Sequence, residues 1–207
     1  YLISSTIGFV GLQQFMPNYQ LQFLSAALGQ GRIVDADHII RDMRMLKSQR
    51  ECDQIRRSAR IVTHVIGLIS NNIFPNSNEM ILGAFIDREA RLEGAEDVRI
   101  LMAKPKDAEW AFRPPEDLPI ASGDRVIIYF AIEYERYWSE AVRTFAAKDS
   151  FFEELKPAKT AELYRDILDG IKIGKPVAEF YKEVLAKIGA SKVDYIPGYG
   201  FGQGIGL

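Results

Sequence analysis

Two histidines, His38 and His64, and one cysteine, Cys52, are all the imidazole and thiol that the 207 residues carry. A lone thiol makes no disulfide within the chain and no thiolate cluster for zinc or iron. Two imidazoles cannot build a site that needs several. Cys52 stands near the start of a helical pattern, where a thiol pKa can fall, but no histidine lies close to it in sequence and it reads as an ordinary thiol. His64, beside Thr63 in a long helical segment, and His38, in the segment before it, read as core or boundary residues rather than ligands. The glycines over 198–206 make no phosphate loop, because no Lys-Ser or Lys-Thr follows them. The basic series Arg41, Arg44, Lys47, Arg50, Arg56, Arg57 and Arg60 is interspersed with Asp42, Glu51 and Asp53, and reads mainly as a solvated helix face. Chemistry is thereby left to carboxylates, phenols and aromatic rings.

Composition excludes several function classes. Lys and Arg number 26 against 28 Asp and Glu, for a formal charge of -2. No global field draws in nucleic acid or an anionic membrane. The 47% hydrophobic and 26% charged fractions are those of a globular chain with a core, not of a disordered or collagenous one. The apolar run at 65–69 is far short of the roughly 20 residues a bilayer span needs. A single cysteine fits a reducing compartment, so a cytoplasmic location is expected. The first residue is Tyr1, and the last residues form a glycine-rich apolar stretch that would leave a sheet edge unpaired; both features suggest a fragment, which in isolation is expected to aggregate.

The elements that must position any site follow from periodicity. A strand-like stretch at 1–10 precedes a helical one around Leu21, Leu24 and Leu28, which Gly29 and Gly31 end. Ile39, Ile40, Met43 and Leu46 repeat at helical spacing, and Ser48-Gln49-Arg50-Glu51 is a capping box that opens a new helix. That helix carries Ile55, Ala59, Val62, Ile66 and Ile69 on one stripe and stops at Asn71-Asn72 and Pro75. A further helix over 78–93 has Ile81, Ala84 and Phe85 inward, with Gly94 at its end. Residues 98–102 read as a buried strand, a proline-rich loop follows at 113–119, and 125–146 reads as a hairpin turning near 133–136. In it Val126, Ile128, Phe130 and Ile132 alternate with Ile127, Tyr129 and Ala131. Two amphipathic helices follow, one through Leu163, Ile167, Leu168 and Ile171, the other through Val177, Phe180, Val184, Leu185 and Ile188, with Pro176 as its first residue. The order predicts an α+β domain with helices on one face of an antiparallel sheet.

Three stretches in this order resemble one known family. They are Arg44-Met45-Leu46-Lys47-Ser48 with Glu51 and Ile55-Arg56; Gly123-Asp124 leading to Glu140-Ala141-Val142-Arg143-Thr144-Phe145; and Ile173-Gly174-Lys175-Pro176 followed by Gly198-Tyr199-Gly200-Phe201-Gly202-Gln203-Gly204-Ile205-Gly206-Leu207. The family is that of the pita-bread hydrolases: creatinase, aminopeptidase P, prolidase and methionine aminopeptidase. The resemblance implies an α+β pita-bread fold, helices packed on a curved antiparallel sheet, with about the first half of the barrel in this chain. It also implies a tail of the N-terminal domain plus linker helix over 1–43, the first portion of the catalytic-type domain over 44–207, and a homodimer.

The resemblance further implies site positions, several of them substituted. Metal-dependent members carry two aspartates on the hairpin, and these positions hold Tyr129 and Glu140, 11 residues apart. The histidine of the glycine-rich strand falls on Gln203, the histidine ahead of the hairpin on or near Phe112, and two further glutamates beyond residue 207. A phenol near pKa 10 and a neutral amide are poor replacements for a carboxylate near 3.9 in holding hard cations. Glu140 is therefore the candidate catalytic residue, with Phe112, Tyr129, Tyr199 and Gln203 as ligand-binding positions. No metal ligand set and no cofactor are expected, although the family generally uses two divalent ions such as manganese, cobalt or zinc. Trp110 and Trp138, with Tyr129 and Phe112, either line an altered cleft by stacking or fill the space of lost ligands. Two functions stand side by side. One is a peptidase-like protein without metallopeptidase activity that binds a peptide or small ligand. The other is a metal-independent or single-metal amide or amidine hydrolase, creatinase-like, using Glu140 with glutamates beyond residue 207.

Overall fold

The computed structural model describes residues 6–12, 15–29, 31–72, 77–104, 111–147 and 157–191. The chain divides into two compact units, with the division after Arg56. In the first, β1 (Ile7–Phe9) pairs in parallel with β2 (Ile33–Asp35), Ile7 facing Ile33, and α1 (Asn18–Leu28) makes the crossover between them. Gly29 ends α1 at φ 93°, a left-handed conformation that favours glycine, and its amide donates to the Ser25 carbonyl. Then comes α2 (Asp37–Met45). Neither α1 nor α2 has a fully buried residue.

Helix α3 (Gln49–Asn72) begins at the capping box expected from sequence. The Ser48 amide donates to the Glu51 carboxylate at 2.7 Å, and the Glu51 amide donates to Ser48 Oγ at 3.3 Å, so two of the orphan amides of the first turn are satisfied. In the second unit the buried stripe of α3 is Ser58, Ile61, Val62, Val65 and Ile69, with Ala59 turned to solvent. The rotation away from the expected stripe follows Ser58, whose buried hydroxyl donates to the Ile132 carbonyl at 2.6 Å. A polar residue thus sits on the inward face because it has a partner there.

Residues 77–92 form β3 (Ser77–Asn78) and α4 (Glu79–Leu92). Asn78 caps α4 by accepting the Met80 amide at 2.8 Å. The inward face of α4 is Glu79, Leu82, Gly83, Ile86 and Ala90, not Ile81 and Ala84, which are exposed. Here too a polar anchor sets the helix's rotation, because Glu79 is wholly buried and ion-paired to Arg113.

Strand β4 (Asp97–Ala103) lies antiparallel to β6 (Arg125–Tyr134), and β6 to β7 (Tyr137–Ala146), giving a three-stranded sheet with β6 in the middle. The short β5 (Pro119–Ile120) pairs with β3. The hairpin turns at Glu135 and Arg136, both with positive φ, as the tight turns that suit the twist of antiparallel strands require. The β6 alternation holds: Val126, Ile128, Phe130 and Ile132 are fully buried against Ile61, Val65 and Ile69 of α3 and Leu82 and Ile86 of α4. Each such side chain contributes roughly 1.5–3 kcal/mol on burial, which makes this sheet face the core of the unit and leaves the other face for a site. Finally, α5 (Pro157–Asp169) and α6 (Val177–Ser191) meet through Leu163, Ile167, Phe180, Val184 and Ile188. Pro176 stands just before α6, its carbonyl accepting the Glu179 and Phe180 amides, one residue ahead of its expected place. The glycine-rich strand expected after 198 lies outside the described residues.

Candidate functional site

The second face of the sheet carries the odd-numbered residues of β6, because side chains alternate along a strand. Register groups them into rows. Leu101, Tyr129 and Val142 stand opposite one another across the three strands; next to them stand Arg99, Ala131 and Glu140, then Asp97, Glu133 and Trp138. Tyr129 and Glu140 are diagonal neighbours, within reach for a long aromatic side chain. The Tyr129 hydroxyl donates to Glu140 Oε2 at 2.7 Å. Burial of the ring, the hydrogen bond to Glu140 and the charge of Glu140 push the Tyr129 phenol up to about 12, against a small downward pull from Arg99. The phenol is therefore neutral at physiological pH and acts as a donor to the carboxylate.

Phe112 lies against this pair, its ring centroid 6.1 Å from that of Tyr129 and tilted by 56°. Its loop is pinned from beneath. The Met102 and Arg113 backbones exchange hydrogen bonds at 2.7 and 3.1 Å, and the Arg113 guanidinium donates to both oxygens of buried Glu79, at 2.7 and 3.2 Å. Burial alone would push the Glu79 carboxyl up. The Arg113 hydrogen bond, the Glu116 amide and the charges of Arg113 and Lys104 more than offset it, leaving the carboxyl below its ordinary value. Lys104 also reaches Asp124 at 3.6 Å and donates to the Pro119 carbonyl at 2.7 Å, so the start of α4, the end of β4 and the turn before β6 are tied together.

Of the residues singled out from sequence, Phe112, Tyr129 and Glu140 converge. Trp138 shares the face but stacks under Arg99, whose guanidinium carbon lies 4.5 Å from the ring centroid. Trp110, Tyr199 and Gln203 lie outside the described residues. His64 is half exposed, 3.8 Å from Glu93 on the other side of the unit's core, and Cys52 is a partly exposed free thiol. Sequence reasoning missed Arg99 and the Glu79–Arg113 pair. Strand alternation alone puts Arg99 on one face of β4, but only the register with β6 and β7 puts it beside Ala131 and Glu140.

The family model for metallopeptidase family M24 matches residues 53–207. The chain belongs to this family. It is 23% identical over 197 residues to the Xaa-Pro dipeptidase of Pyrococcus horikoshii, covering 94% of this chain and 54% of that protein. Among solved structures, the prolidase from Pyrococcus horikoshii OT3 superposes with a TM-score of 0.77 at 20% identity, covering 91% of this chain and 54% of that one. The X-Pro aminopeptidase from Thermotoga maritima MSB8 gives 0.74 at 19% identity, with 91% and 54% covered. The fold is the α+β pita-bread fold, and the chain spans about half the length of the relatives it matches. No helix among the described residues is long and apolar enough to cross a membrane.

Membership of a metallopeptidase family overturns the expectation that no cofactor is used. That expectation weighed a few substituted positions, whereas a metal centre draws donors from several elements, and Glu140 still offers a hard oxygen to a divalent ion. What the described residues supply locally is limited. Among them no group of three or more His, Cys, Asp or Glu side chains is placed to hold a metal. The hairpin pair is one carboxylate and one protonated phenol. The hairpin pair by itself therefore supplies one anionic ligand, fewer than a dinuclear centre needs from all its elements together.

Proposed function

We propose that this chain is an Xaa-Pro peptidase-like member of its family that binds a peptide or small ligand beside Tyr129, Glu140 and Phe112, with a degenerate metal site and without dinuclear metallopeptidase activity. The observation that supports this reading is the hydrogen bond from the raised-pKa Tyr129 phenol to Glu140. It leaves one carboxylate where the resemblance places two acids, so an ion engaged there has a single anionic ligand from the hairpin. The same pair suits recognition. Glu140 accepts from an ammonium or amide of a ligand while Tyr129 holds its orientation, and Phe112 gives an apolar wall. Similarity to an Xaa-Pro dipeptidase and an X-Pro aminopeptidase makes a proline-containing peptide the ligand to try first. The division near residue 44 into an N-terminal tail and a catalytic-type portion belongs to the same proposal.

Metal content together with calorimetric titration of manganese, cobalt and zinc into the chelator-treated intact protein is the test. At most one ion per chain, with binding of Xaa-Pro peptides but no turnover, is the expected result. Two ions per chain at micromolar affinity, with turnover of Xaa-Pro substrates, would overturn it. Turnover with one ion, abolished by Glu140→Gln, would favour instead the single-metal hydrolase reading in which Glu140 is catalytic.

A further inference from the structure

Arg113 meets Met102 in a single antiparallel bridge, the two backbones bonded both ways at 2.7 and 3.1 Å. Bridged residues point to the same face of a sheet, and side chains alternate along an extended backbone. Met102 is wholly buried in the core. Arg113 is therefore turned to the core side and its neighbour Phe112 to the side of Tyr129, where the two rings lie 6.1 Å apart. On the core side the Arg113 guanidinium donates to both oxygens of Glu79, at 2.7 and 3.2 Å, and the Glu116 amide donates to the same carboxylate at 3.4 Å. The Glu79 amide in turn donates to the Leu118 carbonyl at 3.0 Å. A second cation, Lys104, stands 3.6 Å from Glu79 and 3.6 Å from Asp124. The two cations differ in kind: Arg113 grips Glu79 with a planar fork, whereas Lys104 is a point charge shared between two carboxylates.

Building on the peptide-binding reading above, we infer that Arg113 is a positioning residue of the ligand site: its fork on buried Glu79 holds Phe112 against Tyr129, while Lys104 supplies charge balance. The division of labour follows from geometry. Two parallel N–H···O bonds to one carboxylate fix the direction of the guanidinium as well as its distance, and an ammonium pairs with the same carboxylate without fixing a direction. Phe112 and Arg113 are joined by one planar peptide unit, so a turn of the Arg113 backbone swings the Phe112 ring. A single bridge to Met102 sets the position of that backbone, and the side-chain fork on the core side adds the second point that stops it turning. Glu79 is itself held at the start of α4, an element anchored in the core through Leu82 and Ile86. The apolar wall beside Tyr129 and Glu140 is thus aligned from the opposite side of the sheet.

The test uses the intact protein and its Arg113→Lys, Phe112→Ala, Lys104→Met and combined Phe112→Ala/Arg113→Lys variants. Two quantities are read: NMR cross-peaks between the Phe112 and Tyr129 rings, and calorimetric affinity for Ala-Pro. Arg113→Lys, which keeps the charge but not the fork, is expected to lose the cross-peaks and to bind Ala-Pro about 3- to 10-fold more weakly, the range of one aromatic contact. Phe112→Ala is expected to weaken binding by the same factor, and the combined variant to bind no more weakly than Phe112→Ala, because Arg113 acts through that ring. Lys104→Met is expected to lower the urea midpoint while cross-peaks and affinity stay at wild-type values, which separates positioning from general destabilisation. Wild-type cross-peaks and affinity in Arg113→Lys would overturn the inference and leave the peptide-binding reading intact. Additive losses in the combined variant, or the same losses in Lys104→Met, would also overturn it. Cross-peaks lost in Arg113→Lys, with no binding of Ala-Pro by the wild-type protein, would uphold the positioning of Phe112 and overturn the peptide-binding reading alone.

Discussion

At the scale of single residues, the hydroxyl of Tyr129 decides the character of the hairpin. A phenol pushed up to about 12 donates its proton to Glu140 throughout the working pH range. The sign of its effect on stability follows from linkage. A folded-state pKa above the unfolded value near 10 means that the folded chain holds the proton more tightly, so the contribution is complete below pH 10 and is lost as pH rises through about 12. Urea midpoints measured from pH 8 to 12 should fall over that window in the wild-type protein, and Tyr129→Phe should lack this component of the fall. Ser58 is a second such residue. Its buried hydroxyl serves the Ile132 carbonyl in the central strand. Ser58→Ala is expected to cost about 1–3 kcal/mol, read from the urea midpoint, because a buried acceptor loses its donor. If Ser58→Ala were neutral, another donor would have to reach that carbonyl.

Among the elements, the start of α4 and the loop at 111–119 act as a clamp on the site. Glu79 is fully buried, with Arg113 and Lys104 as its partners. Removing one member of a buried pair strands the other, so Glu79→Ala is expected to destabilise by about 3 kcal/mol. The Glu79 carboxyl lies below its ordinary value of 4.5, so its contribution is present above that pH and is lost as pH falls through the lowered value. The gap between wild type and Glu79→Gln should accordingly close on acidification below 4.5, in paired denaturation curves. Gly83 faces the same loop, and a Cβ there would meet Pro115 Cγ at 2.9 Å. Gly83→Ala is expected to cost about 1–3 kcal/mol by overpacking. It should also loosen Phe112 from Tyr129, visible as a change in aromatic side-chain NMR shifts.

Across the whole molecule, burial is unevenly distributed. The second unit holds the core built from α3, α4 and the three-stranded sheet, whereas α1 and α2 bury no residue fully and expose Phe23, Met43 and Met45. Backbone amides with few buried neighbours open locally at low cost. Hydrogen exchange should therefore be slow in β6 and in the inward turns of α3 and α4, and fast in α1 and α2. Equal protection in the first unit would show that its apolar side chains are covered in solution.

Much of the architecture was legible from local chemistry. The capping box at Ser48 and Glu51, the stop of α4 at Gly94, the β6 alternation and the hairpin each depend on residues close in sequence, and each formed as expected. The 11-residue separation of Tyr129 and Glu140 was also enough to bring them together, because a tight hairpin converts sequence spacing into register. What local patterns could not determine was which way the helices turn. The inward faces of α3 and α4 were set by Ser58 and Glu79, polar residues that a hydrophobic stripe assigns to solvent and that only distant partners, Ile132 and Arg113, make tolerable inside. Arg99 escaped notice for the same reason. Its place beside Ala131 and Glu140 depends on pairing β4 with β6 across an intervening loop, and a contact of that range is decided by the tertiary structure alone.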